Sequence, residues 1–510
     1  MKNSLKLIFI SMVGFCLSVK AQDAADLPGL VFDLTRINNG GSARVLGLGG
    51  AQTAIGGDIS SASTNPAGLG FFNRSEFSFS TQFNGVNSSS TYLGTTTDAS
   101  KLNINIPNLG GVIKSGRSRG KWKGQSFGIS LNRMADFQRS AEYVGNTFAE
   151  LFPADPNVRF NNGTAIDFFE SALFDTELNG TNVQFFSDLA ELAFDIGVTD
   201  TFRLDNTNEL IADRNVYIEG TDIPAVPDEE FPSLHQETID VTGASSQFNI
   251  SYGANYDDKL YLGVGLGIAN FSKDVERIFT ERPTETDLSE LRVTDVFEQN
   301  GIGINGTFGV IVRPVNPLLL GLTYTTPTYY SVSQTRELDL SAQFTDGQFF
   351  TSGFTFVEFD YNITTPARMR GGATFFFNKN GFITTEVEYA DFSGGRLSGA
   401  DDGISFGEEN QDINRFNQTL NYRVGAEYRY DIFRIRGGFA LLGDGIDNDV
   451  DEEEQHISFG AGIRKKEFYL DLAVVSVNGP ESLVGPYPYS QLATIENDNT
   501  RVTVTVGFTF

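Results

Sequence analysis

The sequence predicts an all-β fold: a transmembrane antiparallel β-barrel of about 14 strands with an N-terminal hatch, or plug, inside the lumen. Three observations carry that prediction. Apolar and polar residues alternate with period two along many segments. Tight turns alternate with long connections. No apolar run reaches the about 20 residues that a membrane-spanning helix needs, so strands must do the crossing.

Residues 1–21 read as a secretory signal peptide: Lys2 and Lys6, an apolar run from Leu7 to Val19, then Val19-Lys20-Ala21 before Gln22. A lipoprotein needs a small residue before Cys16, where Phe15 stands, so Cys16 is expected to leave with the signal. The mature chain then has no cysteine for disulfides, thiolate catalysis or cysteine metal sites. Loss of Lys2, Lys6 and Lys20 moves the formal charge from −28 to −31, which excludes nucleic acid as a partner. With 45 Phe, 17 Tyr and 54 Gly, the composition is that of a barrel in which one face of each strand is apolar.

Residues 22–74 form the expected hatch. Gly47 to Gly50, Gly56-Gly57 and Asn65-Pro66-Ala67-Gly68 punctuate small apolar residues, a composition suited to folding in a tight space. A barrel of about 14 strands is wider than an eight-stranded one, which side chains fill, and narrower than open channels of about 16 to 18.

The barrel itself covers 75–510, with strands expected near 75–84, 103–115, 124–135, 244–256, 259–272, 300–313, 317–332, 366–377, 381–392, 416–430, 431–442, 455–464, 467–477 and 501–510. Leu420, Tyr422, Val424, Ala426, Tyr428 and Tyr430 oppose Asn421, Arg423, Gly425, Glu427 and Arg429, one side for lipid and one for the lumen. Glycines between Leu260 and Ile268 and around Ile302 to Val312 are read as leaving room for a lumen. Tight links such as Asp257-Asp258 and Tyr430-Asp431 are periplasmic turns. The outer connections fall at 85–102, 136–243, 273–299, 333–365, 393–415, 443–454 and 478–500. Within 136–243, Ala165–Phe174 and Phe185–Phe194 carry apolar residues at helical spacing and read as short helices of a lid.

Through Ser42-Ala43-Arg44, Leu46 to Ala51 and Ser63-Thr64-Asn65-Pro66-Ala67-Gly68-Leu69, the chain resembles the FadL/TodX family of outer-membrane transporters of hydrophobic compounds. Leu320 to Pro327, Thr365 to Gly372 and Tyr422 to Tyr428 extend the likeness, which runs from about residue 40 to 510. The resemblance implies a 14-stranded barrel in the outer membrane of a Gram-negative bacterium, a hydrophobic ligand captured between outer loops, and sideways release through a strand kink. It places Asn65, Pro66 and Ala67 in the hatch triplet and Leu27, Leu30, Val31 and Phe32 beside the ligand. A fatty acid is the default ligand. The very long connection after the third strand and the acidic outer loops depart from better-known members.

Chemical motifs are sparse. Gly124-Gln125-Ser126-Phe127-Gly128 and Gly403-Ile404-Ser405-Phe406-Gly407 match a nucleophile-elbow pattern without its strand-turn-helix context, and only His235 and His456 could serve as base. No enzyme is expected. Asp447, Asp449 and Asp451 are candidate calcium ligands in an acidic outer loop, beside the plainer reading of a solvated loop bridged by divalent ions to lipopolysaccharide. Trp122, between Lys121 and Lys123, suits an interfacial anchor. Arg368, Arg370, Arg423 and Arg429 face inward by alternation, as counter-charges for a ligand head group or as members of lumen ion pairs.

Passive uptake of long-chain fatty acids or other hydrophobic small molecules is therefore the expected function: outer-loop capture, lumen binding and hatch-gated lateral release. The alternative is a barrel of the same shape acting as a surface scaffold or secretion-machinery component. Expected partners are the ligand, outer-membrane lipids and lipopolysaccharide, and the barrel-assembly machinery through the strand that ends at Phe510.

Overall fold

Inside and outside are inverted along the middle and turn-end parts of the strands. On the first strand Phe77 and Phe79 are 46% and 38% exposed, whereas their neighbours Ser78 and Ser80 are fully buried. Leu420, Tyr422, Val424 and Tyr428 are likewise exposed, and Asn421, Arg423 and Glu427 buried. Water does not sort residues this way. A hydrocarbon solvent outside and a filled polar lumen inside do.

The computed structural model describes residues 27–37, 40–115, 120–146, 176–179, 182–185, 192, 200–204, 210–213, 233–283, 288–399, 405–446, 453–486 and 490–510. The wall has 14 antiparallel strands. They are β1 (Glu76–Tyr92), β2 (Thr95–Asn105 and Asn108–Ser115), β3 (Trp122–Asp136 and Arg139–Asn146), β4 (Ser233–Tyr256), β5 (Leu260–Pro283), β6 (Leu288–Val315) and β7 (Leu318–Thr325 and Tyr329–Phe344). There follow β8 (Phe349–Thr364 and Arg368–Phe376), β9 (Gly381–Asp391 and Arg396–Gly399), β10 (Gln418–Tyr430), β11 (Phe433–Leu442), β12 (Glu454–Arg464), β13 (Phe468–Val484) and β14 (Ala493–Thr509). Each pairs with the next along at least part of its length, and β14 returns to β1 from Glu76↔Thr509 to Thr91↔Thr494, which closes the sheet.

The strands run well past the expected boundaries at the outer end. Residues 85–102, expected as a loop, are mostly β1 and β2 joined by a turn at Leu93-Gly94, and β4, β5 and β6 similarly extend to Ser233, Pro283 and Leu288. These extensions are rich in Ser, Thr and charged residues, so no apolar alternation marks them. In β1 and β2 the backbone ladder keeps them extended, and those of β4, β5 and β6 also bury Ile239, Val241, Val275, Phe279, Leu291, Val293 and Phe297. The helical stretches expected at 165–174 and 185–194 fall almost wholly outside the described residues, as do residues 1–26 and the proposed calcium ligands Asp447, Asp449 and Asp451. Among the described residues of that long connection are two short hairpins, Thr176–Asn179 with Asn182–Phe185 and Asp200–Leu204 with Leu210–Asp213.

The chain before β1 winds against the inner faces of the strands as α1 (Leu27–Thr35), α2 (Ala43–Leu46), α3 (Ser61–Thr64) and a 3-10 turn (Pro66–Phe71). Its apolar residues meet the wall at successive places. Ala43 and Leu46 pack on Ala473, Val475 and Val477; Leu48 and Ile55 on Phe382; Ile59, Ala62 and Leu69 near Val112; Ala67 on Tyr261, Ile311 and Leu319.

The inward glycines, expected from sequence to leave room for a lumen, instead admit this segment's backbone. A Cβ added to Gly263 would fall 2.1 Å from the Ala67 nitrogen and the Pro66 carbonyl carbon, and one added to Gly438 would fall 2.2 Å from the Gly49 nitrogen. Only a residue without a side chain lets the two backbones approach so closely.

Candidate functional site

Between α1 and the wall lies a cavity of about 240 Å³. Phe32, Phe137, Val241, Val275, Ile446 and Val477 supply much of its apolar lining. Its charged lining comes from α1 (Asp33), from Arg36 just after it, and from β3, β5, β12 and β14. Lys273 Nζ is 2.7 Å from Asp33 Oδ2, Arg36 Nε is 3.4 Å from Glu454, and Arg277 Nε is 2.7 Å from Glu237. Arg139 and Arg501 also line the cavity, and neither makes an ion-pair contact among the described residues. Asp33 lies within electrostatic reach of Arg139, and Glu454 and Asp136 within reach of Arg501.

The cavity backs onto an irregular part of the wall. β3 breaks at Phe137-Gln138, and both residues line the cavity. The outer part of β2, Thr95–Asn105, ladders with β1, but among the described residues no ladder joins it to Arg139–Asn146 of β3. Side chains converge on Asp136, next to the break. Asp136 accepts hydrogen bonds from Asn105 Nδ2 at 2.8 Å, Asn103 Nδ2 at 3.1 Å and Asn84 Nδ2 at 3.4 Å. Such side-chain bonds are individually worth about 0.5–1.5 kcal/mol and can open without unzipping a ladder.

The residues singled out from sequence fall into two groups. Phe32 lines the cavity and also packs on Phe392 and Phe416, with ring centroids 5.0 and 5.7 Å apart. Leu30 and Val31 are fully buried in a core with Tyr92, Tyr143, Phe297 and Tyr361, and Leu27 packs at its edge. Asn65 lies away from the cavity and shapes the turn: its Nδ2 donates to Thr53 O at 2.6 Å and its Oδ1 accepts from Ala67 N at 3.2 Å, with Pro66 at the first position of the 3-10 turn.

The four arginines do face inward, but none lines this cavity. Arg370 pairs with Glu388, Arg423 Nη1 is 3.2 Å from Glu386, and Arg429 Nε is 2.7 Å from Glu427. Arg368 is buried beside a second, small cavity of about 30 Å³, and its Nη2 lacks a hydrogen-bond partner. The same carboxylates also hold the N-terminal segment, since Glu386 Oε2 accepts from Gln52 N at 3.0 Å and Thr53 N at 2.8 Å. Sequence reading missed Arg139, Lys273 and Arg501. For Arg501 the signal lies in the last strand, where it alternates with apolar Val502, Val504 and Val506.

Asp33 ties α1 to β5, and its ionisation makes that tie dependent on pH. Burial pushes its carboxyl up, but Lys273, Arg139 and Arg36 together hold it below its ordinary 3.8. A carboxylate depressed in the folded state contributes stability above its unfolded pKa and loses it as pH falls through the lower folded value. Protease protection of α1 is therefore expected to stay constant from pH 8 to about 5 and to fall only below about 4. Asp33→Asn should remove that acid step.

Hydrolase geometry is absent among the described residues. Ser126 is buried and its Oγ has no hydrogen-bond partner; Ser405 is exposed. His235 Nδ1 is 2.9 Å from the Tyr92 hydroxyl, and His456 Nε2 is 2.9 Å from Glu454. Trp122 is 41% exposed at the turn end of the wall, its ring edge-on to Tyr256.

No protein-family model matches the chain, and no curated protein matches it. Solved structures do. The toluene transporter TodX of Pseudomonas putida is 12% identical, with 92% of this chain and 99% of that one covered and a TM-score of 0.52. A FadL homologue of Pseudomonas aeruginosa is 11% identical over 92% and 98%, with a TM-score of 0.55. The toluene transporter TbuX of Ralstonia pickettii is 13% identical over 92% and 99%, with a TM-score of 0.50. The likeness is one of fold, shared along nearly the whole of each chain, and none of the three is named as an enzyme.

Proposed function

We propose that this FadL/TodX-type barrel is an outer-membrane channel for passive uptake of hydrophobic small molecules, with residues 22–74 as its hatch. The observation that carries this reading is the cavity of about 240 Å³ beneath apolar side chains of α1, β3, β4 and β5. A cavity of about 150 Å³ has room for benzene, so by volume this one, part apolar and part charged, accommodates one aromatic ring or a medium-length acyl chain with its remainder elsewhere. The toluene transport named for two of the similar structures supports the same class of cargo. Arg139 and Arg501 offer counter-charge to a carboxylate head. The Phe137-Gln138 break and the unladdered edge of β2 support sideways release, and the contacts of Leu27–Phe72 with the inner wall support a hatch.

The experiment is mass spectrometry of molecules co-extracted with the protein, followed by binding of decanoate and decanol. Arg139→Gln/Arg501→Gln should weaken decanoate about 10- to 100-fold, the worth of a charge-assisted hydrogen bond, and leave decanol within about twofold. Equal weakening of both would place the head group elsewhere. A folded wild-type barrel that co-extracts nothing and binds neither would favour the scaffold reading.

A further inference from the structure

The turn end of the barrel carries a concentration of positive charge that the net charge of −28 conceals. Successive turns there are joined by backbone hydrogen bonds: Arg429 N to Asn380 O at 2.7 Å, Arg464 N to Ile432 O at 2.9 Å and Thr509 N to Glu467 O at 2.9 Å. They form a continuous rim. Along one arc stand Lys379, Arg434, Arg464, Lys465, Lys466 and Arg74, and none makes an ion-pair contact among the described residues. Arg434 spends its Nη1 on backbone oxygens of Asp431 and Phe433, each at 2.7 Å. The acids on the arc's surface are Asp431 and Glu467.

Immediately inside this rim is a girdle of exposed rings: Phe377, Tyr430, Phe433, Phe468 and Phe510. Lys465 lies over the Phe468 ring at 5.4 Å on this outer side, whereas Arg464 lies over the buried Tyr469 ring at 4.4 Å on the inner side of the rim. Aromatic girdles sit at the hydrocarbon boundary, so cations one layer beyond sit at the depth of lipid phosphates. A cation there gains about a factor of five in local attraction to an anionic leaflet.

We propose that this rim binds anionic glycerophospholipid headgroups, a diester phosphate with net negative charge, in the leaflet next to the turns. The proposal rests on the reading of the chain as a membrane barrel, not on its cargo. The full chain is reconstituted in vesicles of equal phosphatidylglycerol and phosphatidylcholine, and the relative association of spin-labelled forms of each lipid is measured. The wild type should favour phosphatidylglycerol about five- to tenfold at low salt, falling as salt rises. Lys379→Gln/Lys465→Gln/Lys466→Gln should bring the ratio within about twofold of unity. Arg396→Gln/Arg415→Gln, at the opposite end, should leave it unchanged. Heat-dependent gel mobility confirms a closed barrel in each variant. A wild-type ratio near unity, a rim variant that keeps its preference, or an equal loss in the control would each overturn the proposal. Failure of decanoate and decanol binding would instead strike the uptake reading and leave this one standing.

Discussion

Glu427→Ala is expected to lower stability by about 3–5 kcal/mol, the usual consequence of removing one partner from a buried ion network. Glu427 is buried on β10 and joins three guanidinium groups: Arg436 Nε at 2.7 Å, Arg429 Nε at 2.7 Å and, from the N-terminal segment, Arg44 Nε at 3.6 Å. The three do not lose equally. Arg436 keeps Asp471 at 2.6 Å, and Arg429, half-exposed, can turn to water. Arg44 is left with Gly57 O at 3.2 Å and Asp58 at 3.9 Å, so the segment's tie to the wall bears most of the damage. Denaturant unfolding followed through Trp122, the one tryptophan, gives the magnitude, and proteolysis of residues 40–72 gives the location. Glu427→Gln keeps the shape and some hydrogen bonds and should cost about half as much. A loss under about 1 kcal/mol for the alanine variant would mean that water replaces the carboxylate and that the network does not anchor the segment.

Gly263→Val should displace the Asn65–Pro66–Ala67 turn from the wall. The atoms that the new Cβ would strike, at 2.1 Å, belong to the backbone of Pro66 and Ala67, so no rotamer change relieves the clash. Overpacking of this kind costs about 1–3 kcal/mol or more where the neighbours cannot move. β5 is held by long ladders to β4 and β6, so the turn should yield before the strand. The expected result is a folded barrel with raised conductance in a planar bilayer and faster proteolysis around Asn65. Gly371→Ala, where a Cβ meets nothing within 4 Å, should match the wild type. Unchanged conductance and proteolysis in the valine variant would mean that the turn is not seated against β5.

The barrel was legible because lipid imposes a local rule. Leu420 to Tyr430 and Leu262 to Ile268 show the alternation directly, and the tight links read at Asp257-Asp258 and Tyr430-Asp431 join strands in the structure, the second one residue later at Asp431-Ile432. Strand length was legible only inside the membrane. Ser88 to Ser90 of β1 and Thr95 to Asp98 of β2 have no apolar signature and stay extended because their backbone groups pair with one another. Inward arginines were legible by parity. Their partners were not, since pairing Arg423 with Glu386 or Arg44 with Glu427 depends on strand register and on the path of a segment that shows no periodicity.

The amino-acid sequence by itself determined that this chain forms a closed sheet with an apolar outside, about how many strands it has, and which side chains turn inward, because each of these follows from the period-two geometry of neighbouring residues. Tertiary structure decided what the interior contains. The cavity gathers Asp33, Arg139, Lys273 and Arg501 from four elements, and the glycines of β5 and β11 admit backbone from residues 49–67. Such meetings are set by register around the barrel and by the path of the N-terminal segment, both sums over distant contacts that no local pattern records.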